Sequence, residues 1–350
     1  MFFEIDEDVF LIDSKSFFSP SKAEQILRSD KSEFEEFMNE AFTLRKRNFK
    51  DTLMNFAPNI VHYEIESFKQ ESPNAFVPIS ITGTACALNC DHCQSKILES
   101  MKPARSPEEL VQLCEELSKK GSKGVLISGG ANKHGFVPLL KYANALRIIK
   151  ERFRLKVVVH TGLIDKETAK ILADAHIDAA MLDVIASQDT IETVYHINAT
   201  PEKYEESIRL LKEFNIPIVP HVVVGLNYGA LDGEINALEM LSKYDPDAIV
   251  IVALMPLEGT PMENVTPPSP ETIAKIITIA RLTFQDKPVM LGCARPKGYH
   301  KEETDILAIR AGINGVAYIT DAGVEEAKSL DLKIIHKELC CSLIISDILT

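Results

Sequence analysis

From residue 75 onward the chain alternates short runs of consecutive apolar residues with amphipathic stretches of helical period. The apolar runs lie at 76–82, 124–128, 156–160, 179–184, 218–224, 248–254, 288–291 and 315–319. Each is rich in Val, Ile and Leu on consecutive positions, as strands covered on both faces should be. Helices are expected between them, most clearly over 107–119, 139–152, 201–213 and 270–283. Pro107, Pro201 and Pro270 suit first-turn positions, and Ser106, Thr200 and Ser269 before them are good N-caps. Eight strands alternating with helices predict an α/β protein built as a closed, TIM-type (β/α)8 barrel. Ahead of it, residues 21–50 carry an amphipathic stripe of Phe34, Phe37, Met38, Ala41 and Phe42. Val61, Tyr63 and Ile65 then alternate like a short strand. The first 20 residues mix acidic and aromatic side chains without a motif. The expected units are an N-terminal helical extension (1–74), the barrel (75–322) and a C-terminal cysteine-bearing tail (323–350).

Composition changes this picture little but excludes some functions. The chain has 350 residues, enough for one barrel domain, and its 45% hydrophobic content is that of a soluble globular protein. No apolar run approaches the ~20 residues of a membrane span, and Met1-Phe2-Phe3-Glu4 lacks a signal peptide's basic start. No membrane association is expected. A net charge of −13 argues against non-specific nucleic-acid binding, which needs Lys and Arg against phosphates. The basic group Arg45, Lys46, Arg47 and Lys50 reads as a solvated helix end, or alternatively as a grip for an acidic partner. Seven cysteines, an odd number with three clustered, point to thiolates in a reducing cytosol and hence to a cytoplasmic protein.

Those three are Cys86, Cys90 and Cys93, spaced CxxxCxxC directly after the first apolar run. The same spacing marks one face of a helix, but Gly83 and Thr84 break the strand and Asn89, Asp91 and His92 are loop formers. A loop lets three thiolates converge on one inorganic core. Structural zinc is the rival, although it prefers paired CxxC knuckles and four protein ligands. Plain core packing is another. Cys114, the nearest other cysteine, sits at an apolar helix position and reads as core. Soft thiolates without a fourth partner suit a 4Fe–4S cluster with one open iron.

A CxxxCxxC loop after a first strand resembles the signature of the radical SAM enzymes. The resemblance implies a cluster whose open iron binds S-adenosylmethionine and whose electron cleaves it to a 5′-deoxyadenosyl radical. It places His92 against the cofactor's adenine. It assigns Ser128-Gly129-Gly130, at the end of strand two, to the methionine amino group, with Ala131 where the family usually has an acidic residue. Asp183, ending strand four, matches the carboxylate that biotin synthase offers to the ribose hydroxyls. Gly259-Thr260-Pro261 also occurs in biotin synthase-like enzymes, in a loop near adenine. A six-strand partial barrel, common in the superfamily, is the alternative architecture.

Within the superfamily the chain resembles the biotin synthase-related group. Leu291-Gly292-Cys293-Ala294-Arg295-Pro296, paired with Cys340-Cys341-Ser342, is similar to one component of the archaeal-type two-component lipoyl synthase. That resemblance implies a second iron–sulfur cluster held by Cys293, Cys340 and Cys341, with Arg295, Ser342 or an exogenous sulfide as fourth ligand. A pair of small buried hydrophobes is the alternative for the two terminal cysteines. It further implies sulfur insertion into a protein-bound octanoyl or mercapto-octanoyl lysine. The partners would be a lipoyl-carrier protein, a second radical SAM subunit and a ferredoxin or flavodoxin-like electron donor. A biotin synthase-like or hydrogenase-maturase-like enzyme with another small substrate, and a non-catalytic cluster-binding sensor, stay open. His160, His196 and His221 read first as satisfied polar-layer histidines, with His196 the candidate for substrate contact.

Overall fold

Asp30 splits the first helical stretch into two helices, α1 (Pro20–Arg28) and α2 (Lys31–Asn48). Its carboxylate accepts the Glu33 amide at 3.0 Å while Glu33 accepts the Asp30 amide at 3.1 Å, a reciprocal cap. The computed structural model in which these are seen describes residues 17–348; the acidic and aromatic start noted in the sequence lies outside it up to residue 16. Phe34, Met38 and Ala41 of the expected stripe are buried, and α2 packs on the helix Pro270–Thr283. Arg45 corrects the reading of a solvated basic end. It is fully buried, and its guanidinium donates to the carbonyls of Ile313, Lys50 (2.8 Å) and Thr52. Burial pushes its pKa down to about 10.

Thirteen strands follow among the described residues: β1 (Thr52–Phe56), β2 (Glu64–Ile65), β3 (Phe68–Lys69), β4 (Phe76–Ser80), β5 (Lys102–Pro103), β6 (Gly124–Ser128), β7 (Lys156–His160), β8 (Ala179–Met181), β9 (His221–Val224), β10 (Ile249–Ala253), β11 (Val289–Leu291), β12 (Gly315–Ala317) and β13 (Lys333–Lys337). All eight expected strands form. Helices Pro107–Lys119, Pro201–Glu213 and Pro270–Thr283 match their expected bounds, while 139–152 divides into a 3-10 turn, a short helix and a π turn. Ser106 and Ser269 cap as expected; Thr200 makes no side-chain cap bond.

β2 and β3 pair antiparallel with each other, and the other strands form two sheets, in the orders β5-β4-β6-β7-β8 and β13-β1-β12-β11-β10-β9, with every neighbour in them parallel. The sheets meet where β8 approaches β9, through the bridges Ala180 to Ile218 and Asp183 to His221. Ring closure as a (β/α)8 barrel is not seen among the described residues, because no ladder joins β12 back to β4. The reason is β1. Leu53, Met54, Asn55 and Phe56 are all buried, and the strand occupies the edge of β12 that closure would need. β13 then covers the free edge of β1. The expected boundaries at residues 74 and 322 therefore cut across one sheet. The tail reading is corrected too: residues 323–350 include the end of a helix, an edge strand and a turn, Cys341–Ile344. That turn touches β1, β8 and β12 and packs Leu343 and Ile344 against Phe56, Phe76, Val158 and Met290 inside the strand ring. No described helix is long and apolar enough to cross a membrane.

Asn55 fixes β1 in place. Its amide accepts the Ile319 N–H at 3.1 Å and pairs with His336 Nδ1 at 2.9 Å, and Tyr63 beside it donates to the Ile319 carbonyl at 2.5 Å. Asn55→Ala strands buried polar groups and is expected to cost ~1–3 kcal/mol in urea unfolding. An unchanged midpoint would show that β1 is held by its apolar faces alone.

Candidate active site

The cysteine loop leaves β4 at the common end of the parallel strands, the face where such folds place their chemistry. It lies on the turn after β6. Ala87 N–H donates to the Ala131 carbonyl at 2.8 Å, Gly130 N–H to Thr82 Oγ1 at 2.7 Å, and Cys86 Sγ lies 3.8 Å from the Ala131 oxygen. A Cβ at Gly130 would come within 2.0 Å of the Ala85 carbonyl and 2.5 Å of Cys86 Cα, so only glycine lets the two segments touch. The expected Ser128-Gly129-Gly130 turn is thus in contact with the loop; Ser128 donates to the His160 carbonyl at 3.3 Å.

On the other side the loop is tied to the segment after β8. Asp91 N–H donates to the Val194 carbonyl at 2.9 Å. The Asp91 carboxylate pairs with His196 Nε2 at 2.8 Å and accepts the Tyr228 hydroxyl. His196, the expected substrate-contact histidine, therefore serves the loop. Burial works against the Asp91 charge, but these two bonds hold its pKa below the usual range.

Cys90 and Cys93 are buried and Cys86 half-buried. The nearness of the Cys90 and Cys93 thiols pulls the pKa of Cys93 down and, with burial, pushes that of Cys90 up. His92 stands beside them, its ring 5.3 Å from that of Tyr195, with its Nδ1 buried and unpartnered in the protein. Burial lowers its pKa, yet the bond and charge of Cys93 raise it overall. The residues fit an iron–sulfur cluster: a glycine cradle, three thiols converging from one loop, and an orphaned polar atom at the rim. They fit a single ion poorly. Among the described residues, the one group of three ligand atoms lying within 4.8 Å of one another is elsewhere.

That group is His160, Asp183 and His221, which the sequence brings from the ends of β7 and β8 and the start of β9. His160 Nε2 lies 3.5 Å from Asp183 Oδ1, and the His160 and His221 rings are 5.9 Å apart. Burial opposes the Asp183 charge, but His160 holds its pKa down at about 2. Burial pushes His221 down to about 4. The side chains of His160 and Asp183 keep 29% and 32% of their surface, so they line a water-accessible hollow inside the strand ring. The sequence signal was present in part, since strand ends in such folds carry chemistry, but it gave no hint that three positions so far apart converge.

Cys340 and Cys341 open the terminal turn, which is the geometry that lets adjacent residues reach one place. The nearness of their thiols lowers the pKa of Cys340 to about 7 and raises that of Cys341. Cys293 keeps exposed surface, and partial enclosure by the protein, followed by the Cys340 charge, pushes its pKa up. Of the expected fourth ligands, Arg295 is engaged elsewhere, while Ser342 Oγ lies 3.6 Å from Cys340 Sγ and also has another partner. Arg295 is buried against Asp305 at 2.8 Å and donates to the Gly292 carbonyl at 2.6 Å, while Ser342 Oγ meets Met181 Sδ at 2.6 Å. Cys114 is buried, as expected of core. The turn carrying Gly259 comes close to Lys96, three residues past Cys93.

Gly130→Ala is expected to leave the fold intact but to lower iron bound on anaerobic reconstitution by more than half, because the loop must lift off its seat. Wild-type iron content in that variant would show that the cradle is incidental.

Residues 80–236 match the Radical SAM superfamily model, and residues 251–334 match the Biotin and Thiamin Synthesis associated domain. Biotin synthase of Pelobacter propionicus is 25% identical over 68% of this chain and 74% of its own length. Biotin synthase of Saccharopolyspora erythraea is 24% identical over 91% and 84%. The 3-methylornithine synthase of Methanosarcina barkeri is 24% identical over 70% and 68%. Among solved structures, methylornithine synthase superposes with a TM-score of 0.63 at 17% identity, covering 91% of this chain and 94% of that one. The FeFe-hydrogenase maturase HydG from Carboxydothermus hydrogenoformans gives 0.64 at 14% identity, covering 86% and 67%. The cysteine loop and its glycine seat thus lie within a region, residues 80–236, that matches the Radical SAM superfamily, in a chain with biotin synthase-like homologues.

Proposed function

We propose that this enzyme inserts sulfur at an unactivated carbon of a protein-bound octanoyl or mercapto-octanoyl lysine, in lipoyl cofactor synthesis. The observation that supports the reading is the placement of Cys340 and Cys341 together at the C-terminal turn, with Cys293 just past β11 near enough for the Cys340 charge to act on it. Three thiols there can hold a second cluster that is consumed as sulfur donor. When bound at Cys86, Cys90 and Cys93, the first cluster supplies the electron that cleaves S-adenosylmethionine reductively to the 5′-deoxyadenosyl radical.

The chain's own residues do the positioning. His92 offers an apolar ring face to adenine. The Ser128–Gly130 turn presents backbone to the methionine amino group in place of the absent acidic side chain at Ala131. The terminal turn fills part of the interior with Leu343 and Ile344. A lipoyl-carrier protein would present its lysine arm at the open face, with a second radical SAM subunit and a ferredoxin or flavodoxin-like donor as partners. The setting would be cytoplasmic. A second reading is a biotin synthase-like or hydrogenase-maturase-like enzyme for another small substrate. It is favoured by the burial of Cys340 and Cys341 in an apolar cluster with Met54, Phe56 and Met181, where thiols can serve as packing.

Anaerobic iron and sulfide counting separates the two, since two clusters require about eight irons and one about four. Replacing Cys86, Cys90 and Cys93 by Ala is expected to abolish 5′-deoxyadenosine formation. Replacing Cys293, Cys340 and Cys341 should leave that formation intact while attachment of sulfur to an octanoyl-lysine peptide is lost. Sulfur attachment surviving the second change, or about four irons in the wild type, would move the assignment to the second reading.

A further inference from the structure

Two imidazoles and one carboxylate at a water-accessible hollow form a donor set with its own chemistry. Ligands bound ~2.1 Å from one ion stand no more than ~4.2 Å apart. The three ligand atoms here already lie within 4.8 Å of one another, on three different strand ends whose backbones are cross-linked. Asp183 and His221 face each other across the β8–β9 bridge, where Val184 N–H donates to the His221 carbonyl and His221 N–H to the Leu182 carbonyl, both at 2.9 Å. Their spacing is therefore fixed by the sheet. His160 Nε2 stands 3.5 Å from Asp183 Oδ1, longer than a good hydrogen bond, and His221 Nδ1 is buried without any protein partner. A buried imidazole nitrogen left unpaired costs free energy unless something outside the protein binds it.

We infer that His160, Asp183 and His221 form a site for a single divalent transition-metal ion, separate from the cysteine loop. Two nitrogens and a carboxylate oxygen suit zinc, iron(II) or cobalt(II) rather than magnesium or calcium, which prefer all-oxygen shells. Three protein ligands leave coordination positions open toward the hollow. A substrate carboxylate or thiol could occupy one, which gives the ion a role in holding the molecule on which the radical acts. The inference does not depend on the sulfur-insertion reading and holds equally for another small substrate.

Cobalt(II) tests it, because its visible d–d bands report ligand geometry and its near-ultraviolet charge transfer reports thiolates. The full chain carrying Cys86→Ser, Cys90→Ser and Cys93→Ser is titrated anaerobically, so that the loop cannot compete. One cobalt per chain with visible bands is expected, unchanged when Cys340 and Cys341 are also made Ser. His160→Gln, Asp183→Asn and His221→Gln should each weaken binding by at least ~10-fold, the scale that loss of even an outer partner of a metal ligand reaches. Thermal melts of each variant confirm that it is folded. Binding that follows Cys340 and Cys341 instead, with a thiolate charge-transfer band, would overturn the inference. So would cobalt affinity unchanged in all folded single variants. Absence of any cobalt band in the parent protein overturns it without reference to a variant.

Discussion

The cysteine loop can lie on the second strand only because residue 130 has no side chain. A methyl group there would sit 2.0 Å from the Ala85 carbonyl, which no rotamer can relieve because the opposing atom is backbone. From this contact the rest of the open face follows. Once the loop is seated, Ala87 is bonded to Ala131, and Asp91 reaches Val194, His196 and Tyr228. Four separate parts of the chain thereby share one rim. A metal cluster needs its ligands held before it arrives, since ordering them at the moment of binding would subtract from affinity.

The interior below that rim solves a different problem. A parallel sheet whose last strand does not pair with its first leaves room inside, and an empty interior loses dispersion contacts on every lining side chain. Here β1 is inserted beside β12, and the C-terminal turn fills the space with Leu343 and Ile344. The same turn carries Cys340 and Cys341 into that apolar cluster. Packing and chemistry thus use one segment, which is why the thiols of that turn have two consistent readings.

Much of the fold was legible because strands buried on both faces are written as unbroken apolar runs. β6 and β7 fall at their expected bounds, and each of the other six expected strands overlaps its run. The strands that escaped notice have a different signature. β1 carries Asn55, a polar residue whose bonds to Ile319 and His336 lie more than 260 positions away, and β13 is a half-exposed edge with Lys at both ends. Arg45 misled for a similar reason: nothing local reveals that its guanidinium would meet three carbonyls in the core. At the site, the cysteine loop was readable because its ligands are close in sequence. The trio of His160, Asp183 and His221 was not, since its members come from three strand ends and only tertiary structure brings them together.

The rim is also where the backbone is most constrained. Gln94 and Ser95, directly after Cys93, have φ of 42° and 65°; His196 and Tyr228, which grip Asp91, have 55° and 49°. Left-handed backbone at residues with a side chain costs of order 1–3 kcal/mol each where the surrounding structure imposes it. None of the four is glycine, so the cost is carried in full. What holds them is the set of bonds that end on the loop: Gln94 N–H to the Cys90 carbonyl at 2.9 Å, Cys93 N–H to the same oxygen at 3.1 Å, and the two side-chain bonds to Asp91. Each such bond contributes ~0.5–1.5 kcal/mol, more where a charge is involved, so together they are of the size needed to offset the strain. The loop is thereby kept in one conformation by opposing terms of similar magnitude. A cluster bound there gains from contacts already made, and its loss would leave a segment with little surplus to hold its shape.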